Sequence, residues 1–320
     1  MKAKTALKAK LYKLNVYGKA YHICVRLVYL KYFSGQGAFF KPYKDTHSSS
    51  NMFGSLVIIF PTQHEGGSLK FSHGGCEWTF DSAAMIKGQK DLTITFAAFY
   101  SDIEHEVTPV TSGYRVMLTY NVYFSEESSN AVTPIPVPST TETPFKSVLS
   151  ELLSDPTFMD KGGFLGFGLQ HDYPLDLKAS IGNLVNCLKG SDAIIQRVCN
   201  ELCLETTLRV VYEDEYGDKD GRKFVMVEDI VDYSRHGQID GTPGWAMMQN
   251  EGGQRVRVTG PIAEALSKYA CDYDTEEDHI DVDWVTDLTK FTVAETSAVT
   301  YGNEAQIDFV SPYIFNATYG

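Results

Sequence analysis

In the stretch FFKPYKDTH (39–47), Tyr43, Asp45 and His47 alternate with Lys44 and Thr46, just ahead of the strand-like run MFGSLVIIF. Side chains two apart on an extended segment share a face, so a phenol, a carboxylate and an imidazole point one way. A carboxylate beside an imidazole is the start of a metal site. His105 in SDIEHEV follows 60 residues after Asp45, and Arg115 in GYRVMLTY follows ten later. An oxygen-activating iron(II) centre takes two imidazoles and one carboxylate on one face of the metal. The opposite face stays open for a bidentate cosubstrate and dioxygen. A cosubstrate with a second carboxylate needs a fixed cation, and the guanidinium fork matches a carboxylate in two-point fashion.

Residues so far apart in sequence meet only if neighbouring strands bring them to one mouth, as in a barrel or sandwich. Residues 52–124 read as β structure almost throughout. MFGSLVIIF is a strand, TQHEGG a turn, and SLKFSH and CEWTF are short strands around a Gly-Gly turn; LTITFAAFY and GYRVMLTYNVYF follow. The Pro-rich, hydroxyl-rich stretch SEESSNAVTPIPVPSTTETP has no apolar periodicity and reads as a linker over 126–144. Beyond it, FKSVLSELLSD and DAIIQRVCNELCLE have helical spacing, while GGFLGFGLQHDYPL, TLRVVYEDE and KFVMVEDIVDY read as strands. The expectation is a β domain over 1–125, then a mixed α/β domain over 145–320. The acidic run DYDTEEDHIDVD (272–283) lacks the central Gly of a calcium loop and reads as solvated loop.

The segments FFKPYKDT, MFGSLVIIFPTQHEGGSL, FYSDIEHEV and SGYRVMLTYNVYF, in this order, resemble the double-stranded β-helix (jelly-roll) core of iron(II)/2-oxoglutarate-dependent oxygenases. Within that family the resemblance is to the prolyl 4-hydroxylase-like branch, and to a group common in fungal proteins. GGFLGFGLQHDYPL and YGNEA also resemble the C-terminal part of those fungal proteins. The resemblance implies that Asp45 and His105 bind iron(II) and that Arg115 anchors 2-oxoglutarate. The implied reaction is hydroxylation of a C–H bond with dioxygen, yielding succinate and carbon dioxide, with ascorbate as a family expectation.

Tyr43 stands where the family has its first His. Three readings follow: a weakened or silent site, rescue by His47, or ligation by Tyr43. Phenolate ligates iron in some haem proteins, but a neutral phenol near pH 7 is a poor ligand for iron(II). His47 rescue requires the extended segment to run on to that residue. His64 and His73 are further imidazoles, both read as surface turn residues, and His171 beside Asp172 makes a poor ligand pair.

A segment at about 19–36, KAYHICVRLVYLKYFSGQ, intervenes where the family passes through one short turn; an added hairpin and a translated intron are the two readings. The chain also starts close to the first core strand, where relatives carry supporting helices, so a shortened or imperfect gene model is the expectation. A formal charge of −13 argues against nucleic acid as partner. Basic residues concentrate only at the start, at Lys2, Lys4, Lys8, Lys10 and Lys13. AYHICVRLVYLKYF is too short and too charged to span a bilayer. The cysteines show no zinc-type pairing, and Cys199 and Cys203 read as buried thiols on one helix. A cytoplasmic or nuclear protein acting on a small-molecule or protein substrate is expected. The rival readings are a silent scaffold that keeps the jelly-roll and a metal-free small-molecule binder.

Overall fold

The computed structural model describes residues 6–19, 21–26, 29–34, 40–45, 52–89, 91–125, 140–175, 180–214, 223–230, 248–260, 279–286, 297–299, 307–310 and 313–319. The chain divides into two compact units, Met1–Thr133 and Pro134–Gly320.

In the first unit, strands β1 (Ala6–Gly18), β2 (Tyr21–Arg26), β3 (Tyr29–Ser34), β4 (Phe40–Tyr43), β5 (Met52–Ile59), β6 (His64–Gly66), β7 (Leu69–His73) and β8 (Cys76–Phe80) lead into helix α1 (Ser82–Ile86). Strands β9 (Thr95–Tyr100), β10 (Glu104–Val107) and β11 (Val110–Ser125) follow. The larger sheet runs β3-β2-β1-β11-β5-β9, with β6 also on β11, and the smaller runs β4-β10-β7-β8. Tyr17, Val57, Ile59 and Met117 of the larger sheet share one core with Leu69, Phe71 and Val107 of the smaller. Two sheets facing each other over one core give the sandwich form of a jelly-roll.

The long strands obey a strict alternation. On β11, Arg115, Met117, Thr119, Asn121 and Tyr123 are buried, while Val116, Leu118 and Tyr120 between them are half-buried on the outer face. On β1 the pairing register shifts between Leu11 and Lys13, leaving Tyr12 as a bulge. One extra residue flips the phase of everything beyond it. Lys8, Lys10, Lys13, Asn15 and Tyr17 therefore all pair with inward-facing β11 residues. In the segment set apart at 19–36, the described residues form the β2–β3 hairpin, which extends the larger sheet from β1.

Glycine fixes the turns. Gly74 and Gly75, between β7 and β8, have φ of +56° and +78°, as a two-residue hairpin turn requires. The TQHEGG segment, expected as a plain turn, contains β6, because His64–Gly66 finds a partner in β11 far along the chain. At Gly113 (φ +70°) an added Cβ would overlap the Gln63 carbonyl oxygen. Helix α1 was absent from the sequence reading; its Asp81 cap accepts from the Ala84 amide at 3.1 Å.

The second unit contains helices α2 (Glu142–Leu153) and α3 (Gly190–Glu201) and a 3₁₀ turn at Ile181–Asn186. Its strands are β12 (Gly163–Gly168), β13 (Tyr173–Leu175), β14 (Glu205–Asp214), β15 (Lys223–Val227), β16 (Gln254–Thr259), β17 (His279–Trp284), β18 (Ser297–Val299), β19 (Ile307–Val310) and β20 (Tyr313–Tyr319). Six of these close a barrel in the order β12-β17-β16-β15-β14-β20, and β13-β19-β18 form a small sheet. Val211, Phe224, Met226, Val256, Val282 and Trp284 form one cluster, and Val210, Tyr212, Val225 and Val227 join α2 and α3 in another. Strands β14 and β15 are thus buried on both faces, which explains their near-continuous apolar runs.

Three expectations change here. Helix α2 begins at Glu142, inside the span read as linker, and Arg197 holds Glu142 through two hydrogen bonds at 3.0 and 2.8 Å. The end of the acidic run is strand β17: Ile280, Val282 and Trp284 alternate with Asp281 and Asp283, and its earlier part lies outside the described residues. Cys199 is buried, but Cys203 lies past the end of α3, exposed and with φ of +60°.

Gly113→Ala is expected to destabilise the protein by about 1–3 kcal/mol. Gly74→Ala, where a Cβ meets open space, loses only the backbone preference, about 1 kcal/mol. Urea unfolding of the two variants measures the difference.

Candidate functional site

The smaller sheet carries the first two candidates side by side. Strand pairing sets Tyr43 opposite His105. Two residues past Tyr43, the Asp45 amide donates to the Ser101 carbonyl at 3.1 Å, which fixes the backbone there. The Asp45 carboxylate then faces His105, with Oδ1 3.8 Å from Nε2. Its other oxygen, Oδ2, accepts from Ser55 Oγ at 2.5 Å. On the far side of the imidazole, Nδ1 lies 3.2 Å from the Ile103 carbonyl oxygen. That contact makes Nδ1 the protonated nitrogen and turns the Nε2 lone pair toward Asp45. The ring is held by Phe99, at 4.6 Å between centroids, and by Phe71. Burial pushes the His105 pKa below its ordinary value; Asp45 opposes this and the charge of Lys13 adds to it. A neutral imidazole beside a hydrogen-bonded carboxylate is a donor pair suited to a divalent metal.

Arg115 enters from the larger sheet. It is fully buried, at 0 % exposure, and its side chain passes Gly67, where a Cβ would stand 2.8 Å from Arg115 Cδ. Nη1 lies 2.8 Å from the Met117 sulfur, and the guanidinium is 5.7 Å from the Tyr17 ring centroid. Nε and Nη2 have no hydrogen-bond partner among the described residues. Burial lowers the Arg115 pKa to about 10. A buried guanidinium with two unsatisfied donors is a built receptor for an anion.

The side chain of Tyr43 and all of His47 lie outside the described residues, and strand pairing ends at Tyr43. His64, expected at the surface, is buried on β6, with Nδ1 2.7 Å from the Thr62 carbonyl oxygen and Nε2 3.2 Å from Ser82 Oγ. Both its nitrogens are therefore engaged. Burial, aided by the charge of Arg115, lowers its pKa. His73 pairs with buried Asp102, Nε2 to Oδ2 at 3.3 Å. In the second unit, His171 is buried and its amide donates to Asp192, which also accepts from the Gln170 amide and the Tyr173 hydroxyl. A hollow of about 250 Å³ on the smaller sheet is lined by Lys70, Ser72, Glu77, Thr79, Glu104 and Glu106 together with Phe71, Trp78 and His105.

Sequence reasoning missed the polar lining between the two sets. Asn15, Thr119 and Asn121 are buried on the inner face of the larger sheet, and Asn121 pairs in register with Ser55, the residue that holds Asp45. Their signal was present: polar residues at every second position of otherwise apolar strands.

Residues 27–123 match the 2OG-Fe(II) oxygenase superfamily. The match spans β3 to β11 and begins inside the segment read as an insert. It includes Asp45, His105 and Arg115, and the mainly β fold agrees with it. No curated protein and no solved structure matches the chain. Among the described residues, no helix is long and apolar enough to cross a membrane.

Arg115→Met removes a buried charge whose Nε and Nη2 have no hydrogen-bond partner among the described residues. It is expected to stabilise the ligand-free protein by on the order of 1 kcal/mol. Glutarate, a metal-independent dicarboxylate probe, should raise the melting temperature of the wild type and leave that of the variant unmoved. Thermal scans with and without glutarate read both effects.

Proposed function

We propose that the first unit is an iron(II)/2-oxoglutarate-dependent dioxygenase domain of the prolyl 4-hydroxylase-like kind, working with an altered metal triad. The observation that carries this reading is Arg115, buried, cationic and unsatisfied, in the same segment as the Asp45–His105 pair. In the reaction, R–H, dioxygen and 2-oxoglutarate give R–OH, succinate and carbon dioxide.

The residues fit both groups. Asp45 and His105 would hold iron(II), and Arg115 would take the far carboxylate of 2-oxoglutarate. Bound there, the metal supplies dioxygen activation. The chain supplies the rest. Ser55 donates to Asp45 and aims its free oxygen. The Ile103 carbonyl fixes the His105 tautomer, and burial lowers the pKa of that ring, which favours its neutral form. The apolar wall of Phe71, Phe99 and Met117 excludes water, which strengthens the pairing of Arg115 with an anion. Strand register sets Tyr43 opposite His105, which supports Tyr43 as the third place of the set. A neutral phenol there gives a weaker site than the family's imidazole would.

Tyr43 also supports a second reading, a catalytically silent protein that keeps the jelly-roll for binding. Succinate formation from 2-oxoglutarate with iron(II) in air separates the two. Tyr43→His should raise it by roughly tenfold or more, and Asp45→Ala in that background should abolish it. Detectable wild-type turnover that disappears in His47→Ala would assign the third place to His47. The oxygenase reading fails if Tyr43→His binds iron(II) and makes no succinate.

A further inference from the structure

The inner face of β1 carries Lys8 and Lys10, both exposed, and Lys13, half-buried, in one row. The bulge at Tyr12 keeps them in phase with Asn15 and Tyr17. Lys10 Nζ sits 4.8 Å from the centroid of the Tyr123 ring, on the same inner face. Exposure rises steadily along this face, from Arg115 and Tyr17 at 0 % and 1 % to Lys10 and Lys8 in solvent. Strands β1 and β11 have 13 and 16 residues, whereas among the described residues β4 and β10 have four each. Three lysines in one row are unusual in a chain of net charge −13.

The same stretch is an open edge. Strand β2 pairs only with Lys13–Gly18 of β1. On that side, Leu7–Leu11 has no strand partner among the described residues, and its backbone donors and acceptors face outward. Lysine at alternate positions is a known guard against edge pairing with neutral or basic strands, and the same pattern favours an acidic one.

We propose that this edge docks an extended acidic polypeptide, which adds as a strand beside Leu7–Leu11 and pairs its carboxylates with Lys8 and Lys10. Strand addition supplies main-chain hydrogen bonds, and the lysines select alternate side chains. The row from Lys8 to Lys13 spans about 15 Å, longer than a small metabolite and suited to a run of about five residues. Its inner end continues on the same face to Tyr17, opposite Arg115, so the acidic segment is the substrate class of the site. That last step rests on the oxygenase reading; the docking itself does not.

The test uses the full chain without metal and a fluorescein-labelled decapeptide of alternating Glu and Thr, read by anisotropy at low salt. This peptide should bind at least about tenfold more tightly than its Lys–Thr counterpart. Binding should weaken with salt and with N-methylation of alternate backbone amides. Lys8→Glu/Lys10→Glu should lose it, while Lys87→Glu, an exposed charge change at the end of α1, should keep it; equal melting temperatures show that all are folded. Equal binding of acidic and basic peptides, or retention in Lys8→Glu/Lys10→Glu, overturns the proposal. Tighter binding of a single-stranded oligonucleotide of equal charge overturns it too. Binding by a protein that never makes succinate leaves the docking edge standing and removes the oxygenase reading. Succinate formation without peptide selectivity does the reverse.

Discussion

Burying the guanidinium of Arg115 is the constraint around which the first unit is arranged. Taking such a charge out of water costs several kcal/mol unless hydrogen bonds or an opposite charge offset it. Among the described residues the guanidinium meets a sulfur contact, an aromatic face and a glycine that leaves room. The apolar core around Tyr17, Ile59 and Met117 supplies the stability that tolerates this. An interior that accepts such a penalty is prepared for a ligand that relieves it.

The same alternation that buries Arg115 sorts the rest of the inner face. Met117 joins the core, Thr119 and Asn121 line the interior, and the Asn121–Ser55 pairing connects the larger sheet to Asp45 on the smaller. One bulge at Tyr12 decides whether β1 contributes lysines or leucines to that face. A sandwich with polar residues on its inner face is less stable than a fully apolar one, and here the polar positions cluster at one seam.

Much of this was legible from the chain. Strands in residues 52–124 announced themselves by short alternating runs and glycine turns, and Asp45, His105 and Arg115 stood out by type and order. Long-range pairing was not legible. His64 looked like a turn residue because its partner strand begins far along the chain, and the lysines read as a basic start because the bulge that aligns them leaves no mark in sequence. In the second unit, the charges of Asp281 and Asp283 hid the period-two pattern of Ile280, Val282 and Trp284. Cys203 escaped its helix because the chain turns left-handed one residue past Leu202.

The central claim is that Asp45, His105 and Arg115 form one receptor for a metal and a dicarboxylate. Anaerobic calorimetry with iron(II) and 2-oxoglutarate together tests it most directly. The account predicts one iron per chain, bound more tightly when 2-oxoglutarate is present, with Asp45→Ala removing the metal and Arg115→Met removing only the enhancement. Equal iron binding by the wild type and Asp45→Ala, with no effect of 2-oxoglutarate on either, would contradict it.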